Sequence, residues 1–190
     1  PAKIVGAFPY PLKPLLSRSG VTVIGRCRPQ NSGFANLCAV KRKVFGSMAS
    51  AIRSCAGGVV FWDEQVFLLM SDRGEWVMPK GVIRNQNRSN DVALWRVEDE
   101  AGIHAHIIGI AGNTRYDFFS ESRGRDVSNR IQWFAMVADD PSFHISFEQG
   151  FLNGGYYPFG KAREMLSHDC DRDILDTALS IYRQTRDRSA

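Results

Sequence analysis

The interval between Gly81 and Gly102, 21 positions apart, constrains this chain more than any other feature. It opens as a polar loop from Lys80 to Asn90 and continues as a helix from Asp91 to Ala101. Ser89 or Asn90 is expected to cap that helix, Asp91 suits its first turn, and Gly102 supplies a left-handed stop. Leu94, Val97 and Ala101 recur at helical spacing and predict a buried stripe. The end of the helix carries Glu98, Asp99 and Glu100 in succession. Adjacent carboxylates repel one another, so something positive is expected among them, either a divalent cation or a basic side chain. Oxygen ligands of this kind suit Mg²⁺ or Mn²⁺ better than zinc. Arg96 precedes Asp99 by three positions and Glu100 by four, which places all three on one face, with Glu98 turned away by about 100° or more.

The flanks of this segment read as an α+β layered domain. Val59–Trp62 and Val66–Met70, separated by Asp63-Glu64, predict a hairpin. Glu75–Pro79 is a short extended piece. Strands are expected at His106–Ile110, Thr114–Phe119 and Arg130–Ala138, a short extended element at Tyr156–Pro158, and a short helix at Lys161–Leu166. A final helix starts near Asp171, with Ile174, Leu175, Ala178, Leu179 and Tyr182 on its apolar face.

Charge divides the chain. No Asp or Glu precedes Asp63, whereas eight basic residues lie between Lys3 and Arg53, so the net charge of +4 hides a front of +8 and a remainder of −4. Residues 1–47 are therefore read as a basic, acid-free extension, and 48–190 as the folded domain, opening at Met48. Three roles stay open for the basic stretch: an organellar transit segment, an arm for RNA or another anionic partner through residues 1–62, or an extension of no fixed role. No apolar run approaches the roughly 20 residues of a membrane-spanning helix. The four cysteines lie far apart without a CxxC pair, which gives a zinc cluster little support.

With its flanks, the Gly81–Ile103 segment resembles the Nudix hydrolase superfamily. That family's box runs G-x5-E-x7-R-E-U-x-E-E-x-G-U, where U is a bulky aliphatic residue. Gly81, Val97, Asp99, Glu100, Gly102 and Ile103 hold its spacing, Asp99 by an acidic substitute. Ala56-Gly57-Gly58-Val59-Val60 resembles the first core strand of that family, and Trp76–Gly81 the approach to its box. The resemblance covers about residues 52–183 and implies an α/β/α sandwich with a mixed central sheet. It further implies divalent-metal-dependent cleavage of a phosphoanhydride in a nucleoside diphosphate linked to another moiety. The alternative is a catalytically silent Nudix fold that binds a nucleotide or an RNA end.

The box is degenerate. Asn87 stands where the pattern has its first glutamate, Trp95 where it has arginine, and Arg96 where it has the first helix glutamate, usually a metal ligand and sometimes the base. The resemblance then leaves Glu100, Asp99 and Arg96 as catalytic residues, with Arg96 turned to phosphate. Glu100, Asp99, Gly81 and Glu148 are the expected ligands of Mg²⁺ (or Mn²⁺), with Glu121 and Asp117 as other carboxylates able to help. Lys80, Arg115, Arg125 and Arg130 are the expected substrate contacts, with Arg123 in the same group. A small nucleotide is the expected partner, a homodimer stays open, and the compartment is read as cytoplasmic or, from the basic front, the mitochondrial matrix.

Overall fold

The computed structural model describes residues 28–29, 51–120 and 124–189. Most of the basic extension, the opening at Met48, and Glu121 and Arg123 lie outside the described residues.

Eight strands and three helices follow in the order β1 (Arg28–Pro29), β2 (Ala51–Trp62), β3 (Gln65–Ser71), β4 (Trp76–Val77), β5 (Lys80–Val82), α1 (Ser89–Ala101), β6 (Ala105–Ser120), β7 (Arg125–Ala138), β8 (Phe151–Pro158), α2 (Phe159–Met165) and α3 (Asp169–Ser189). The strands form one sheet in the order β1-β6-β7-β2-β3-β4, with β5 added to β2 and β8 to β3. β2 and β7 run parallel over eleven register positions, from Ala51–Val127 to Phe61–Val137, and the other pairs are antiparallel. The sheet is therefore mixed, as expected.

Alternation along the strands sends side chains to two cores. Val60, Ala56, Phe134 and Met136 meet Val92, Ala93, Val97 and Ala101 of α1. On the opposite face Val59, Phe61, Trp133 and Ala135 meet Ala162, Leu166, Ile174, Leu175, Ala178 and Tyr182 of α2 and α3. The result is the α/β/α sandwich. The two adjacent glycines of β2 serve opposite faces: a Cβ on Gly57 would stand 2.5 Å from the Trp133 ring, and one on Gly58 would stand 2.8 Å from Val97 and 2.7 Å from the Met136 sulfur. Small residues there let α1 and Trp133 approach the strand backbone.

Several boundaries differ from expectation. The strands expected at His106–Ile110 and Thr114–Phe119 are one strand, β6, whose pairing with β7 shifts register near Ile107/Gly109 and Ile110/Gly112. Gly112, at φ 137°, gives the backbone freedom for the second shift. The loop expected from Lys80 begins as strand β5, because Lys80, Gly81 and Val82 pair with Gly57, Ala56 and Cys55. Helix α1 starts at Ser89, so Arg88 is the N-cap and its side chain makes no capping hydrogen bond.

Candidate functional site at the end of helix α1

Three segments are brought together at the C-terminal turn of α1. Gly102 adopts φ 62° and its N–H donates to Glu98 O (2.7 Å), ending the helix as expected. The next free carbonyls, of Glu100 and Ala101, accept from the N–H groups of Ser146 (3.1 Å) and His144 (2.7 Å). The helix end is thereby tied to the segment leading into β8. The third segment is β5, which lies against the helix face carrying Arg96 and Glu100.

Glu100 is the buried member of the site, only 5% exposed. One oxygen, Oε2, accepts the Lys80 backbone N–H at 3.2 Å. The other, Oε1, stands 3.7 Å from Arg96 Nη1. Burial pushes the Glu100 carboxyl up from 4.5 to about 7, against the opposing pull of Arg96, Lys80 and the Lys80 N–H. Desolvation thus outweighs both nearby cations, and the proton comes and goes near neutral pH.

Arg96 Nη1 also reaches Asp99 Oδ2 at 3.3 Å, and that same oxygen accepts from Gln149 Nε2 at 3.0 Å. Arg96, Asp99 and Glu100 therefore share one helix face, as their spacing predicts. The arginine stem lies flat on β5: a Cβ on Gly81 would stand 2.0 Å from Arg96 Nε. Its guanidinium rests 4.7 Å from the centroid of the neighbouring Trp95 ring. Nε is buried in this position and has no hydrogen-bond partner among the described residues.

Beside Glu100 opens a cleft of about 310 Å³, whose walls include Asp72, Arg73, Met78, Lys80, Glu100 and Gln149. Both signs of charge face it, which suits a ligand carrying anionic and donor groups together.

A divalent cation does not fit the residues present. Among the described residues, no three His, Cys, Asp or Glu side chains gather to hold a metal ion. The two box carboxylates already share one guanidinium. An ion about 5 Å from that guanidinium would meet a repulsion of roughly 6–7 kcal/mol at an effective dielectric near 20. Glu148, expected as a further ligand, is exposed on the short 3-10 turn Phe147–Gln149, and its neighbour Gln149 makes the contact with Asp99 instead. The Arg96 stem fills the space that a Cβ on Gly81 would need.

The other expected contacts are distributed differently. Lys80 contributes its backbone N–H to the site, while its ammonium lies on the opposite sheet face, 6.0 Å from the Trp133 ring centroid. Arg115 and Arg130 stand directly opposite one another across β6 and β7, and Arg115 pairs with Asp117 at 3.3 Å. Neither these two nor the exposed Arg125 lines the cleft beside Glu100. Glu98 points outward and reaches His104 at 3.7 Å. Gln149 is the contact that sequence reasoning missed. The sequence marks it only by its place beside Glu148.

No protein-family model matches the chain. Solved structures do. The E. coli dihydroneopterin triphosphate pyrophosphohydrolase is similar with a TM-score of 0.56 and 14% identity, over 67% of this chain and 96% of that one. A C. elegans Ap4A hydrolase, in a binary complex, gives 0.53 and 16%, over 70% and 98%. A NUDIX hydrolase from Nitrosomonas europaea gives 0.53 and 16%, over 67% and 70%. At such identities the likeness concerns the fold.

Proposed function

From a chain that has the Nudix hydrolase fold, we propose a phosphoanhydride site at the C-terminal end of α1. It takes a nucleoside diphosphate linked to another moiety and hydrolyses it slowly. The observation that carries this reading is Glu100, a buried carboxyl on the wall of a charged cleft, fixed by the Lys80 N–H and titrating near neutrality. A carboxylate with its pKa close to the working pH is well suited to take a proton from an attacking water. Arg96 supplies positive charge for the phosphate oxygens on which negative charge builds up. The ligands of the two neighbours named for dihydroneopterin triphosphate and Ap4A are of the same broad class and support it.

Turnover is expected to be slow. The glutamate that the box pattern places at position 96 is absent, so the site keeps two of the pattern's three helix carboxylates and a cation stands in place of the third. The rest of the ligand would be chosen at the mouth of the cleft, by Asp72 and Arg73. The deciding experiment is a panel of nucleoside diphosphate derivatives assayed for both binding and turnover, with wild type and Glu100→Gln. Binding in both proteins with turnover only in wild type is the expected result; turnover undiminished in Glu100→Gln would refute the role given to this residue.

A second reading is a silent nucleotide- or RNA-binding protein. It is favoured by the ion pairs that Arg96 makes with both box carboxylates. The same panel recognises it as binding without turnover in wild type.

The domain limits fit this proposal: residues 48–190 would carry the site, and the basic stretch before them would contact an anionic partner. Among the described residues no helix is long and apolar enough to cross a membrane.

A further inference from the structure

Resting on the phosphoanhydride reading above, we propose that Arg96 is the resident cation of this site. Its guanidinium holds the place of a divalent ion, passes from Asp99 and Glu100 to the phosphate of an arriving ligand, and makes ligand binding independent of added metal.

Three observations carry this. The first is position. The Arg96 stem is fitted against Gly81 so closely that a Cβ there would force the arginine to shift, and the guanidinium is stacked on Trp95. The charge is therefore held at the carboxylates by packing as well as by attraction. The side chain is 18% exposed and is not among those lining the cleft beside Glu100, so it reaches a ligand there only by leaving its seat.

The second is that the present arrangement satisfies Arg96 only partly. Nη1 reaches its two carboxylate oxygens at 3.3 and 3.7 Å. Charge-assisted pairs of good geometry close to about 2.7–2.9 Å and are commonly bidentate. Nε, a strong donor, is buried with no acceptor among the described residues. A planar fork with unused donors matches the oxygens of a phosphate better than two carboxylates that it grips by one nitrogen.

The third is that the carboxylates do not depend on Arg96 alone. Glu100 keeps the Lys80 N–H on Oε2, and Asp99 keeps Gln149 Nε2 on Oδ2. When the guanidinium swings to a phosphate, each retains a donor. The site can thus exchange one anion for another without a metal to mediate between them.

The test is calorimetric, on the full chain, with ADP, inorganic pyrophosphate and Mn²⁺ alone as probes. Wild type should bind ADP with affinity that differs by less than about twofold between EDTA and excess Mg²⁺. Arg96→Gln should weaken it by about tenfold or more, as expected for loss of a charge-assisted phosphate contact, and Arg96→Lys should recover part of the loss. Wild type should show no Mn²⁺ site, whereas Arg96→Glu should gain one. ADP binding that appears only with Mg²⁺, or that survives Arg96→Gln unchanged, overturns the proposal. So does a Mn²⁺ site in wild type that Glu100→Gln removes. If neither ADP nor pyrophosphate binds under any condition, the phosphoanhydride reading itself fails, and the phosphate half of this proposal with it. The Mn²⁺ titrations of wild type and Arg96→Glu then still decide whether Arg96 takes the cation's place. Should Arg96→Gln not fold, the comparison of EDTA with Mg²⁺ in wild type stands by itself.

Discussion

The side chain of Arg96 occupies the space that a Cβ on Gly81 would need, with Nε, Cδ and Cγ at 2.0, 2.5 and 2.6 Å from that point. The opening glycine of the box and the residue that departs most from the box pattern are thus one packing unit. Gly81→Ala is expected to cost about 1–3 kcal/mol by overpacking. In an Arg96→Ala background the same change should cost much less. Urea unfolding of the two single variants and the double variant would give a coupling of about 1 kcal/mol or more. Additive effects would show that the contact is unimportant.

The buried carboxyl of Glu100 gives stability a defined pH dependence. Its folded-state pKa of about 7 lies above the ordinary 4.5, so the folded protein holds a proton that the unfolded chain has released. Stability is therefore greatest below about pH 4.5 as far as this group is concerned, and declines as pH rises through 7. The decline amounts to about 3 kcal/mol. Glu100→Gln should flatten this slope and be the more stable protein at pH 8. Thermal melts of both proteins from pH 5 to 8 would show it, and parallel curves would contradict the burial argument.

Gly102 combines a left-handed backbone with a crowded surrounding, since a Cβ there would stand 3.0 Å from that of His144. Gly102→Ala should lose about 1 kcal/mol from backbone strain alone, and more if His144 is pushed off the helix end. The displaced segment carries Gln149, so ADP affinity in the same variant is expected to fall as well. Denaturant midpoints and one titration suffice.

In the α3-side core, the Trp133 Nε1–H donates to Thr114 Oγ1 at 2.9 Å, with both residues buried. Thr114→Val keeps the shape and removes the acceptor. The stranded indole donor should cost about 1–3 kcal/mol, measured by urea unfolding. A neutral result would mean that the indole finds another acceptor, for which β6 would have to shift.

Local pattern was enough for much that depends on chain periodicity and on close neighbours, though not for the start of α1, which begins at Ser89 without the expected cap. The 21-residue glycine interval, the apolar stripe of α1 and the i+3 and i+4 spacing of Asp99 and Glu100 from Arg96 all act within one loop and one helix, so geometry of the helix alone joins those three side chains. The two-face core was an implication of the family resemblance, and no local pattern in the strands carried it. What the chain's order could not disclose were relations across the sheet and between distant segments. Lys80 puts its backbone on one face and its ammonium on the other because pleating of β5 separates them. Gln149, rather than Glu148, meets Asp99, because the N–H groups of residues 144 and 146 tie their segment to the end of α1. The seat of Arg96 on Gly81 and the desolvation that lifts Glu100 arise only when β5 closes over the helix. Packing sets both, and it brings together residues whose separation along the chain carries no signal.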